Sequence, residues 1–248
     1  MEVITSRKNA KIQHLKKLGA SKAYRTECGE FLCDGEKLLD EAIANGMSIV
    51  TILYCGETPK GCGAAENVYE AERSLIEYVS PMKTPQDVIF TCRMRVSGFS
   101  PRTGEKYVIL EEVQDPGNVG TVMRTARAMG YDGVLLLPGC ADVFSPKAVR
   151  ATMGAVFRQS VHYIDFGGIE EMKKQGIKIY GAALAPDSRD IREVDFTDFA
   201  VCIGSEGHGL SEKLLGMCDE KIIIPMMQSC ESLNAAMAAG IIMWESVR

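Results

Sequence analysis

Apolar positions along the chain switch between a spacing of three to four and short continuous runs, and the switches lay out its elements. Ile12, Leu15 and Leu18 recur three apart and predict a short amphipathic helix over 6–19, ending at Gly19. Residues 30–33 predict a brief strand. Asp34 then stands as a cap for a helix over 35–45, with Leu38, Leu39, Ala42 and Ile43 inward and Gly46 past its end. A strand rich in Ile and Val follows at 48–54, a Gly-rich loop at 56–67, a helix at 69–78, a helical turn at 84–90 and a strand near 90–94. Residues 97–105 break every periodicity and predict a linker between a domain at 1–96 and another at 106–248.

Beyond the linker the alternation restarts. Strands are predicted at 107–112, 133–137, 160–164, 177–183, 199–203 and 222–224, and helices at 118–129, 146–151, 169–175 and 212–217. Ser232 is placed to cap a final Ala-rich helix running towards Trp244, with Leu233, Met237, Gly240, Ile241 and Trp244 on one stripe. Strands this apolar, separated by helices, imply a parallel sheet covered on both faces. The fold class is therefore α/β, with a larger C-terminal parallel-sheet domain and a smaller N-terminal α/β domain.

Composition sharpens the picture in three places. The net charge of −5 speaks against indiscriminate binding to nucleic acid, yet residues 1–25 carry Arg7, Lys8, Lys11, Lys16, Lys17, Lys22 and Arg25 against Glu2 alone. Such an arm fits one polyanion-facing edge on an acidic protein. The nine cysteines are odd in number, scattered and without a CxxC pair, which argues against a disulfide framework and a zinc site and for reduced thiols in the cytoplasm. No apolar run reaches membrane-spanning length and residues 1–11 are polar, so neither a membrane span nor a secretory leader is expected.

In open parallel sheets ligands sit beyond the carboxyl ends of the strands, and three such ends carry unusual polar turns. The first runs Asp115, Pro116, Gly117, Asn118, Val119, Gly120 and on to Arg124, about two turns into a helix. The second is Gly204, Ser205, Glu206, Gly207, His208, Gly209, Leu210, and the third joins Ile224, Pro225 and Met226 to Ser232, Leu233 and Asn234. No dinucleotide fingerprint, P-loop or hydrolase elbow matches: Gly204, Gly207 and Gly209 are spaced GxxGxG, and Ser205 lies in Gly-Ser-Glu-Gly. His162 and His208 lack a partner at metal spacing, so no metal site is expected. What remains is a site built mainly from backbone, with Arg124, Glu206, Ser232 and Asn234 as polar equipment.

Taken in this order, the three turns resemble the signature motifs of the SpoU (TrmH-like) RNA ribose 2′-O-methyltransferases over residues 106–248. Residues 1–96 resemble, more weakly, the ribosomal-protein-like RNA-binding domain often fused upstream, through Ile4, Thr5, Ser6, Arg7, Lys8, Asn9 and through Phe31, Leu32, Cys33, Asp34, Gly35. The resemblance implies a sheet tied in a deep trefoil knot, a topology that pattern reasoning never proposes because knotted chains are rare. It implies S-adenosylmethionine held by backbone at Gly204, Ile224 and Leu233, with Leu184 and Met226 beside it, and a homodimer in which the arginine of one subunit completes the other's site. It makes Arg124, Asn118, Glu206, Ser232 and Asn234 the catalytic set. Lys147 and Arg150, in Ser-Pro-Lys-Ala-Val-Arg-Ala-Thr-Met-Gly, match a family segment facing RNA, alongside Arg7, Lys8 and Lys11. The chain departs from the family at Gln228, where glycine is usual, and at Ala235 and Ala236, which replace Val-Ser.

The expected activity is 2′-O-methylation of a ribose in structured RNA, with large-subunit ribosomal RNA preferred. Transfer RNA as substrate and a non-catalytic RNA- or ribosome-binding role are the competing readings. The missing fingerprint disfavours a dehydrogenase.

Overall fold

The computed structural model describes residues 2–95, 98–227 and 232–248. The first elements in chain order are β1 (Glu2–Ile4), α1 (Ala10–Ala20), α2 (Lys22–Cys28), β2 (Glu30–Asp34), α3 (Glu36–Ala44), β3 (Ile49–Tyr54), β4 (Ala65–Ala71), α4 (Arg73–Val79) and β5 (Val88–Arg93). They are followed by β6 (Tyr107–Leu110), α5 (Pro116–Ala128), β7 (Gly133–Leu136), α6 (Pro146–Thr152), β8 (Ser160–Tyr163), α7 (Phe166–Lys174) and β9 (Lys178–Ala182). The chain closes with β10 (Arg189–Asp190), β11 (Phe199–Ile203), α8 (Glu212–Met217), β12 (Glu220–Ile223) and α9 (Ala235–Glu245). No helix among the described residues is long and apolar enough to cross a membrane.

Packing divides the chain into two units, Met1–Arg95 with Asp142–Arg158, and Val96–Ala141 with Gln159–Arg248. In the first unit a five-stranded mixed sheet has the order β1-β4-β3-β5-β2. Ile12, Leu15 and Leu18 of α1 and Leu75, Ile76 and Val79 of α4 bury against Leu32, Leu53 and Ile89 on one face. Phe31, one residue along β2 and so on the opposite face, meets Phe144 and Phe157 at ring-centroid distances of 5.0 and 6.3 Å. Residues 142–158 therefore supply core to the first unit, where the reading by consecutive domains placed them in the second. The pairing is fixed by Arg25, 4% exposed, whose Nε and Nη2 donate to Asp142 Oδ2 at 2.9 and 2.6 Å. The ion pair of Arg158 with Glu41 adds a second fastening.

Several N-terminal elements differ from expectation. Residues 65–71 form a strand paired on both sides, to β1 and to β3, where a loop and the start of a helix were expected. Ala-Glu-Asn-Val-Tyr-Glu-Ala has little intrinsic strand preference, so partners on either side decide its state. The helical turn expected at 84–90 is absent, because Val88–Arg93 pairs with β2 and β3. Asp34 does not cap α3. The cap position is Gly35 at φ 116°, and the Asp34 carboxylate instead accepts from Ser80 Oγ at 2.7 Å and Gln86 N at 3.0 Å.

The second unit holds a seven-stranded sheet in the order β10-β12-β9-β11-β6-β7-β8. Every neighbour in it is parallel, as the apolar strands require. Tyr107, Ile109, Leu135, Ile179 and Cys202 bury on one face with Ile169 and Met172 of α7 and Leu214 of α8. Helices α5 and α9 pack together and cover the other face. The final helix is capped by Asn234 rather than Ser232: Asn234 Oδ1 accepts from Ala236 N and Met237 N at 3.0 and 3.3 Å. Ser and Asn are comparable caps, and the residue two to three positions before the first free N–H groups takes the role.

Candidate active site

The parallel sheet brings all three polar turns to the carboxyl ends of β6, β11 and β12. After β6, Asp115 caps α5, accepting from Gly117 N and Asn118 N at 2.6 and 3.1 Å, with Pro116 at the first helical position. That fixes Asn118 in the first turn of α5. After β11 the chain folds back on itself: Ser205 N donates to Gly209 O at 3.1 Å and Gly209 N returns a bond to Ser205 O at 3.0 Å. Gly204 is obligatory here, because a Cβ built on it would lie 2.1 Å from the Gly209 carbonyl carbon.

The turns are joined side chain to side chain. Asn118 Nδ2 donates to Glu206 Oε1, and Asn118 Oδ1 accepts from Asn234 Nδ2 at 3.1 Å. One asparagine thus ties together residues 88 and 116 positions away along the chain. Beside this link lies a cleft of about 550 Å³. Leu184, Gly204, Ile224, Met226 and Leu233 all line it, and so do Glu206 and Ser232. Leu210, Ala235 and Ala238 line it too, together with residues that sequence reasoning passed over: Ala182 and Ala183 at the end of β9 and Ile242 of α9. Small residues at a strand end were the available signal. Gln228 lies outside the described residues.

Arg124 is placed differently from the rest of the set. It is exposed on α5, does not line the cleft of its own chain, and makes no ion pair with a described residue. Asn118 and Glu206, of the same expected set, bond to each other. The cations expected to face RNA all belong to the first unit. Arg7, Lys8 and Lys11 are exposed around the start of α1, with the Arg7 guanidinium 4.9 Å from the centre of the Tyr78 ring. Lys147 and Arg150 are exposed on α6. No group of three or more His, Cys, Asp or Glu suited to a metal ion occurs among the described residues.

Residues 105–244 match the model of the SpoU rRNA Methylase family. The chain belongs to the SpoU family. A second match, to the MRM3-like substrate binding domain, covers residues 9–89. Relatives agree along nearly the whole length. This SpoU chain is 34% identical over 98% of itself and 98% of the Bacillus subtilis 23S rRNA (guanosine(2553)-2′-O)-methyltransferase RlmP. It is 31% identical to the Streptomyces viridochromogenes 23S rRNA (uridine(2479)-2′-O)-methyltransferase, over 99% of itself and 91% of that protein. Among solved structures, the AdoMet-bound rRNA methyltransferase from Sinorhizobium meliloti superposes with a TM-score of 0.89 at 31% identity, covering 99% of this chain and 97% of that one.

Proposed function

We propose that this chain methylates a ribose 2′-hydroxyl of structured RNA, with large-subunit ribosomal RNA as substrate and S-adenosylmethionine as donor. The observation that carries the reading is the link from Asn234 through Asn118 to Glu206 beside the cleft. The relatives named for 23S rRNA 2′-O-methylation support the substrate class. The cleft fits an adenosyl donor: Ile203, Leu210 and Ile224 give apolar walls for a flat base, and Gly204 lets the 204–210 loop fold back tightly enough to form its wall.

When bound, the donor supplies an electrophilic methyl on a sulfonium sulfur. The chain's own work is to align the ribose oxygen with it and to manage the hydroxyl proton. Asn118, Glu206 and Asn234 hold the three turns in register, and Ser232 lines the cleft beside them. Arg124 acts on the substrate side. Its planar guanidinium fork binds a neighbouring RNA phosphate and stabilises the developing alkoxide, while phosphate or water takes the proton.

A twofold partner brings Arg124 to the site it completes. Support comes from α9, apolar on all sides, which leaves Met237 60% and Trp244 57% exposed beside α5, a face suited to a second copy. The trefoil knot and a cytoplasmic location belong to the same reading. RNA docks on Arg7, Lys8, Lys11, Lys147 and Arg150 of the first unit.

Calorimetry with S-adenosylhomocysteine and mapping of ribose methylation in a deletion strain test the proposal together. Binding of the product and loss of one 2′-O-methyl mark from 23S rRNA are the expected results. Full retention of every ribosomal mark, or no binding, overturns it.

A further inference from the structure

At the carboxyl end of β6 one carboxylate is withdrawn from solvent. Glu111 is 5% exposed, and both its oxygens are used on a single residue: Oε2 accepts from Ser211 N and Oε1 from Ser211 Oγ, each at 2.7 Å. Its own backbone N–H donates to Ile203 O at 3.0 Å. Ile203 and Ser211 are the residues immediately before and after the loop 204–210, which forms one wall of the cleft. A single residue, far away along the chain, therefore grips both stems of that loop.

The grip is stiff for physical reasons. Hydrogen bonds to an ionised carboxylate are roughly twice as strong as neutral ones, and removal from water makes the loss of either partner costly. Ser211 is constrained on its other side as well, since its Oγ accepts from Leu214 N at 3.1 Å and caps α8. Immediately after Glu111 the backbone turns through Glu112 at φ 52°, a left-handed conformation seldom taken by a side-chain-bearing residue. The carboxylate thus sits where the stretch leading to Asp115 and α5 departs from the stems of the 204–210 loop.

We propose that Glu111 is a positioning residue for the methyl donor: by pinning the entry and exit of the 204–210 loop it sets the cleft wall that carries Gly204, Glu206 and Leu210. This rests on the reading of the cleft as the donor site. Glu111 does not line the cleft, so it acts through Ser211 and Ile203 alone.

The test uses the full-length protein with S-adenosylhomocysteine as probe, titrated by calorimetry, together with amide hydrogen exchange. Glu111→Ala is expected to weaken binding by about tenfold or more, because the loop must be reordered on each binding event. Glu111→Gln keeps one acceptor for the Ser211 N–H but loses the charge, and is expected to show a smaller yet measurable loss of about threefold. Exchange at Ser211 and across 204–210 should quicken in the Ala variant, while the amides of β6 and β7 stay protected. Wild-type affinity in Glu111→Ala overturns the proposal, as does a loss of affinity accompanied by lost protection throughout β6 and β11, which marks a purely structural role. Should the Ala variant fail to fold, Glu111→Gln decides: faster exchange at Ser211 with weaker binding upholds the proposal, and wild-type behaviour in both overturns it. Wild-type protein that takes up no S-adenosylhomocysteine overturns the assignment of the cleft itself, and does so before any variant is made.

Discussion

Arg124 is the residue whose position says most about how the chemistry is divided. It stands exposed on a helix whose first turn is tied through Asn118 to Glu206 on the cleft wall, yet it lines no part of that cleft. A guanidinium binds phosphate through a planar fork that an ammonium cannot reproduce. Arg124→Lys is therefore expected to abolish methylation by two orders of magnitude or more at every pH, a few kcal/mol of transition-state stabilisation, about what loss of one anion-stabilising donor costs. A pH–rate profile checks this, and activity regained at high pH with RNA binding intact assigns the arginine a base role instead. Gly204 gives a second expectation. With a Cβ 2.1 Å from Gly209, Gly204→Ala cannot keep the loop closed, and S-adenosylhomocysteine binding should vanish in calorimetry while the thermal midpoint falls by only a few degrees. Both positions were legible in the sequence, as a basic residue on a helix and a glycine after a strand. The bond from Asn118 to Glu206 was not, since no local pattern relates residues 88 apart.

Among the elements, those carried by strong periodicity were readable and those created by neighbours were not. Helix α1 follows from Ile12, Leu15 and Leu18, and the parallel strands follow from their unbroken apolar runs. Strand β4 owes its state to pairing on both edges, and Phe31 gives no hint that its partners lie more than a hundred residues away. Breaking the Arg25–Asp142 pair leaves an uncompensated buried charge, so Arg25→Ala should destabilise the first unit by about 3–5 kcal/mol, measured by urea unfolding. Residues 1–95 expressed alone should expose the Phe31 face and bind a hydrophobic dye. The contact of α1 with β2 carries a pH expectation. Burial, the largest single influence, pushes the Glu30 carboxyl up, but hydrogen bonds from His14, whose Nε2 lies 3.4 Å away, and Thr91, with the charges of His14 and Arg93, together outweigh it and leave Glu30 below its ordinary value. A carboxyl lowered on folding contributes stability above its unfolded pKa of about 4.3 and loses it as pH falls through its folded value. The thermal midpoint of the wild type should thus fall more steeply below about pH 4 than that of Glu30→Gln, whereas the variant is the less stable at neutral pH.

For the molecule as a whole, the uncovered face of α9 matters most. Helix α9 is apolar on every side, yet one chain covers only part of it, leaving Met237 and Trp244 in solvent. Trp244→Glu would set a charge into any symmetric contact there. It is expected to convert a dimer into monomers in sedimentation equilibrium and to lower activity by more than tenfold, because Arg124 then loses the site it serves. A wild-type protein that sediments as a monomer sinks this expectation and the shared-site reading with it.

Residues 142–158 have a consequence for exchange of parts between relatives. Packing assigns them to the first unit although the chain reaches them through β6, α5 and β7 of the second. A graft cut only at the 97–105 linker would carry off a recognition module lacking Phe144, Phe157 and Asp142, and would leave behind a foreign segment shaped for the old one. Chimaeras that retain a folded module must transplant two pieces of sequence at once, so recombination at a single junction is a poor route by which this protein could acquire a new RNA target.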